Sequence, residues 1–262
     1  MLNSLINCAL SPCPYDTFIF CKVKDHPLVR THLHDIETLN RLAFEGRFEI
    51  TKLSFHAWLL LQERYALLDV GAALGRGCGP LVIARSADEL HAGSRIAVPG
   101  EYTTAHLLLR LWRPDIEHRV FMPFDRIMDA VATGAVDAGV IIHEGRFVYR
   151  SRGFHCLQDL GTWWESTTGR PIPLGCIAAR KDIGREVTAD FRQLLKESVA
   201  YAMEHPESTK EYVRAHAQEL SEEVMREHIS TYVNAFTRDL GPEGHEAIRV
   251  LQELAGKAGV IP

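Results

Sequence analysis

Apolar positions along the chain fall into two alternating patterns. Short, largely apolar runs such as those within Leu5–Leu10, Leu81–Arg85 and Ala138–Ile142 are separated by longer segments whose apolar residues return at helical spacing. The first pattern suits buried strands and the second suits helices lying on a sheet. Their alternation therefore predicts β-α units and an α/β class with mixed, mostly parallel sheets.

The first strand, Leu5–Leu10, runs into Ser11-Pro12-Cys13-Pro14, and a helix is expected over Tyr15–Val23. Arg30–His34 is a second strand. Asp35 is placed to cap a helix over Ile36–Phe44, which Gly46 stops. A strand over Phe48–Thr51 continues into Lys52-Leu53-Ser54, followed by a helix over Phe55–Tyr65. The glycine-rich stretch Gly71–Gly79 opens no helix, so it reads as a flexible connection rather than a dinucleotide fingerprint.

After the strand Leu81–Arg85, a second series begins with Arg95–Val98 and a helix over Thr103–Trp112. A helix over Arg126–Thr133 and the strand Ala138–Ile142 follow, and this strand delivers His143 at its carboxyl end. Gly169–Pro173 is an extended crossover into a strand over Leu174–Ala179. The remainder is helical, over Phe191–Met203, Ser208–His216 and Glu222–Phe236, with breaks at Pro206 and Leu220-Ser221. The expected organisation is a discontinuous lobe of residues 1–93 and 174–262, a second lobe of residues 94–173, and a cleft between them.

Length and composition fit this picture. The 262 residues are 46% hydrophobic and 24% charged, enough for two cored lobes without staples. A net charge of -5 without a dense basic run argues against nucleic acid as a partner. Six scattered cysteines form no C-x-x-C pair, which argues against a disulfide framework or structural zinc. The N-terminal segment has no basic, apolar and small-residue series of an export signal and no span, so a cytoplasmic protein without membrane association is expected. The sequence is compatible with a homodimer without requiring one.

In parallel sheets, ligands bind beyond the carboxyl ends of strands, which singles out four junctions. Gly100-Glu-Tyr-Thr103-Thr104 opens a helix whose free N–H groups and positive dipole end attract an anion, although Thr103 or Thr104 could equally be a plain cap. Lys52-Leu53-Ser54 repeats the arrangement with a cation beside it, against the alternative of a solvated lysine and a capping serine. Ser11 to Thr17 offers Ser11 and Asp16, and Asp16 could serve only as a cap. His143 emerges from an apolar strand, and a neutral imidazole there suits a general base that Glu144 or a carbonyl orients; a lone histidine is also commonly a structural group. His32-Leu33-His34-Asp35 completes no ligand set, so no metal is implied.

Together, Ser11-Pro-Cys-Pro-Tyr-Asp-Thr-Phe-Ile-Phe20, Glu37-Thr-Leu-Asn40, Thr51-Lys-Leu-Ser54, Gly75-Arg-Gly, Val98-Pro-Gly, Thr103-Thr104, Ile141-Ile-His143-Glu144, Trp163-Trp164 and Tyr232-Val-Asn-Ala-Phe236 closely resemble the 1,4-dihydroxy-6-naphthoate synthase family of the futalosine route to menaquinone. The resemblance covers nearly the whole chain in order. It implies a fold like the type-2 periplasmic binding proteins, and a lyase-type cleavage of cyclic dehypoxanthine futalosine to 1,4-dihydroxy-6-naphthoate and dihydroxyacetone without a cofactor. It assigns the proton acceptor to His143 and substrate binding to Lys52, Leu53, Ser54, Thr103 and Thr104, with Asn40 as a further pocket residue. Tyr15 departs from the asparagine expected at its place in the motif. Two other readings stay open: a carboxylate-binding receptor without chemistry, and the sibling pathway enzyme chorismate dehydratase.

Overall fold

In the computed structural model, which describes residues 2–217 and 221–261, the apolar runs become the strands of two sheets. The first sheet takes β1 (Ile6–Leu10), β2 (Val29–Leu33), β3 (Ile50–Ser54), β4 (Tyr65–Leu67) and β5 (Ala73–Gly75). The second takes β6 (Leu81–Ala84), β7 (Ile96–Val98), β8 (Arg119–Phe121), β9 (Ala138–Ile141) and β10 (His155–Asp159), in the order β10-β6-β9-β7-β8. The long strand β11 (Ile172–Arg180) then returns to the first sheet beside β3, β4 and β5. Every antiparallel pair involves β6 or β11, on which the chain crosses from one sheet to the other, and the remaining pairs are parallel.

Helices α1 (Pro14–Ile19), α2 (Ile36–Phe44) and α3 (Phe55–Leu60) follow strands of the first sheet, and α4 (Thr104–Trp112), α5 (Ile127–Ala132), α6 (Gly145–Val148) and α7 (Leu160–Thr168) those of the second. A helical tail follows: α8 (Arg185–Glu204), α9 (Lys210–His216), α10 (Glu222–Tyr232), α11 (Ala235–Arg238) and α12 (Gly241–Lys257). Asp35 caps α2 as its side chain accepts from the N–H groups of Glu37 and Thr38. Strand alternation divides the second sheet's residues between two cores. Val82 and Ala84 join the large cluster that also contains Leu10 and Ile50, whereas Leu81 and Ile83 pack with Ile127 and Val131 of α5. No helix of the described residues is long and apolar enough to cross a membrane.

The structure departs from the sequence reading at several places. Leu81–Ala84 was expected within residues 1–93 of the first lobe, yet β6 pairs with β9 and β10, so the second sheet begins at residue 81. A strand's apolar pattern marks it as buried without naming its partner. The helix expected to reach Tyr65 ends at Leu60, because Tyr65 pairs with Arg180 of β11. Part of the glycine-rich connection is β5, held against β11. The helix expected to reach Phe236 ends at Tyr232, since Asn234 starts a separate turn with a capping box. At the break placed at Leu220-Ser221, Ser221 caps α10, while Leu220 lies outside the described residues.

Candidate functional site

The carboxyl ends of β1, β3 and β9 and the start of α4 converge on one cavity. Of the residues anticipated from the sequence, Ser11, Asp16, Lys52, Ser54, Thr103, Thr104 and His143 line it. Leu53 does not. On β3 its side chain alternates with those of Lys52 and Ser54 and lies in the apolar core, so it keeps the strand in place rather than facing a ligand. Asn40 also stands behind the lining. Its amide donates to the Ser54 hydroxyl at 3.1 Å, and its carbonyl oxygen accepts the Ser54 N–H at 2.9 Å.

Asp16 and Lys52 form a buried ion pair at 2.8 Å. The second carboxylate oxygen accepts from the Ser11 hydroxyl at 2.6 Å and the Ser11 N–H at 3.1 Å. Lys52 is therefore neither solvated nor free, and its ammonium lies 4.6 Å from the centre of the Tyr15 ring. That ring stands where asparagine was expected; its hydroxyl donates to Thr237 Oγ1 at 3.3 Å, which ties α1 to the helical tail. Cys13 caps α1 through its sulfur. Burial raises the Cys13 and Cys78 thiols, Cys78 to about 12, which keeps both protonated and unsuited to nucleophilic attack.

The Thr103 hydroxyl donates to Gly100 O at 2.9 Å and accepts from His106 N–H, so it caps α4. The Thr104 hydroxyl donates to Leu174 O at 2.7 Å and accepts the His56 N–H. Both hydroxyl protons are committed to the protein. The groups left to bind an anion here are the first-turn N–H groups of Thr104 and Ala105, which no helical carbonyl can reach. Ahead of Thr103, the N–H groups of Glu101 and Tyr102 are held by the Glu37 carboxylate at 3.0 and 3.1 Å. Ser54 differs from both threonines: its oxygen accepts from Asn40, and among the described residues its proton has no acceptor.

His143 is half-buried, with the Phe124 ring set edge-on at 4.9 Å between centroids. Its φ of 53° is the one positive value outside glycine among the described residues. The left-handed backbone there turns the chain sharply after β9 and aims the ring into the cavity, at a cost of about 1 kcal/mol. Burial lowers the imidazole below its usual value, opposed by the charges of Glu144 and Asp16. The ring is therefore neutral near pH 7 and able to take up a proton. Glu144 influences it through charge, since no hydrogen bond joins the two among the described residues.

Sequence reasoning missed His228 on α10, which lines the same cavity. Its ring lies 6.3 Å from that of His143 at an interplanar angle of 24°. Met225, His228 and Tyr232 are the buried residues of α10, so a titratable side chain on the apolar stripe of a helix was the available signal. His143, Glu144 and His228 each present a donor atom within 4.8 Å of the others, and among the described residues they are the one such group able to hold a metal ion.

A sequence family described as "Menaquinone biosynthesis" matches residues 6–257. The chain is 48% identical over 258 residues to a protein of Thermus thermophilus named "1,4-dihydroxy-6-naphtoate synthase", covering 96% of this chain and 94% of that one. Protein AF1704 from Archaeoglobus fulgidus has a crystal structure that superposes with a TM-score of 0.93 at 40% identity, covering 98% of both chains. The alkanesulfonate-binding protein SsuA from Xanthomonas axonopodis pv. citri, bound to MOPS, superposes with a TM-score of 0.73 at 14% identity, covering 100% of this chain and 96% of that one. This last likeness concerns the fold alone, which is that of the periplasmic binding proteins.

Proposed function

The chain belongs to the menaquinone-biosynthesis family of 1,4-dihydroxy-6-naphthoate synthases, and from that premise we propose that it cleaves cyclic dehypoxanthine futalosine to 1,4-dihydroxy-6-naphthoate and dihydroxyacetone. The observation that carries this reading is the meeting, in one cavity, of a neutral imidazole and the donors an anion needs. The substrate carboxylate binds the N–H groups of Thr104 and Ala105 and the free Ser54 proton, and Lys52 with Asp16 shapes the neighbouring wall. His143 takes a proton from the substrate. The electron pair left behind becomes a new double bond as the bond to the sugar-derived fragment breaks, and that fragment leaves with the broken bond's pair and regains a proton.

On this reading the two sheets are the cores of two lobes that close over the substrate and exclude water, the enzyme is a cytoplasmic lyase, and protein groups supply the chemistry without a cofactor. The test is incubation of purified protein with cyclic dehypoxanthine futalosine, followed by identification of products. Release of the naphthoate supports the reading. Tight binding with no turnover would support a receptor, and turnover of chorismate instead would support chorismate dehydratase. His143→Ala is expected to lose turnover by at least about 100-fold, and Ser54→Ala to act mainly on KM.

A further inference from the structure

His228 is 1% exposed, and among the described residues neither of its ring nitrogens has a hydrogen-bond partner. Leaving buried polar atoms unpaired costs about 1–3 kcal/mol for each group, and a purely structural histidine at this place would have been furnished with a carbonyl or hydroxyl. Its neighbours instead are rings: His143 at 6.3 Å, Phe147 at 6.1 Å and Tyr232 at 4.6 Å between centroids. The residue lines the cavity, which is the space from which a bound molecule could supply a partner. A donor nitrogen of His228 falls within 4.8 Å of one on His143. At that spacing one oxygen atom can bond to both rings at ordinary hydrogen-bond lengths of about 2.8 Å.

We propose that His228 is a second functional imidazole, whose N–H donates to the same substrate hydroxyl oxygen from which His143 removes the proton. The inference rests on the cleavage reading above and sharpens it. An N–H donor beside the base is of use to an oxygen that gains negative charge and of none to a carbon, so the proton comes from an O–H bond. That proton passes to His143, the oxygen's pair forms a carbonyl, and the adjacent carbon–carbon bond breaks with its electrons going to the other fragment, which is then protonated. Burial and the neighbouring His143 keep His228 well below the usual histidine range, so it stays a neutral donor while His143 carries the proton. Its place on α10 gives the C-terminal helical tail a share in the site.

The decisive variant is His228→Phe, which keeps the ring volume and removes two unpartnered nitrogens. The expected result is a Tm equal to or above that of the wild type, a fall of about 100-fold in kcat, and a KM changed by less than about threefold. His228→Gln, which restores a side-chain N–H, is expected to recover part of the lost kcat. Normal kcat in His228→Phe would overturn the proposal. So would a lowered Tm with activity lost only in proportion to folded protein, which marks a packing role. Loss of wild-type turnover on dialysis against EDTA would also overturn it, because the two imidazoles would then be metal ligands. An inactive wild type sinks the cleavage reading itself, whereas an active wild type with an active His228→Phe sinks only the role of His228.

Discussion

Asp16 and Lys52 show how the site taxes stability at the scale of single residues. Both side chains are buried, and removing one charge strands the other without water. Asp16→Asn is therefore expected to cost about 3–5 kcal/mol in urea unfolding. Asp115→Asn, which breaks the exposed pair with Arg113, should leave the urea midpoint nearly unchanged; equal losses would refute the distinction. The buried histidines add a pH dependence. Burial pushes His56 and His106 down to about 4, below the unfolded value of about 6.5, so the unfolded chain takes up protons first. Stability is thus complete above about pH 6.5 and falls as pH drops toward 4, by on the order of 3 kcal/mol for each ring. A Tm that stays constant between pH 7 and 5 would contradict this. Ser54, Thr103 and His143 were legible as residues of the candidate cavity because they end strands or begin helices, and the fold rule for parallel sheets points to such positions. His228 and Tyr232 were not, because a residue on a distant helix reaches the cavity only through tertiary packing.

At the scale of elements, close backbone contacts matter more than propensity. Gly79 leads into β6 and meets Gly161 of α7 so tightly that a Cβ on Gly79 would lie 2.2 Å from Gly161 N. Neither backbone can yield, so Gly79→Ala is expected to destabilise by about 3 kcal/mol or more. Gly256 in α12 has open space around it, and Gly256→Ala should stabilise by about 0.5–1 kcal/mol. Paired thermal melts decide both. The sequence announced α2 and α4 through their caps and periodicity, with bounds that differ from the expected ones by at most one residue. It gave no notice of β8 and β10. Both are edge strands of the second sheet with at most partly buried residues, so no apolar run marks them. For β6 the run was plain, but the partner was not, because pairing is decided by residues 50 or more positions away.

For the whole molecule, the contacts that cross between the sheets decide how the cavity is held. Glu37 of α2, beside the first sheet, grips the N–H groups of Glu101 and Tyr102 ahead of α4, and Arg41 reaches Glu101 at 3.2 Å. Burial raises the Glu37 carboxyl, so acid neutralises it and loosens the grip before ordinary carboxylates titrate. Glu37→Ala should raise KM about tenfold through poorer positioning of α4, with kcat at saturation changed little; an unchanged KM would show that the grip has no part in binding. The positive φ of His143 leads to a further expectation. Glycine adopts that backbone without strain, so His143→Gly would leave an imidazole-shaped void behind a relaxed main chain, and free imidazole added to the buffer should restore part of the lost turnover. On the lobe closure proposed above, the small base would enter the void from solvent while the two halves stand apart. The rate at which added imidazole revives the enzyme is then a clock for how often the molecule opens.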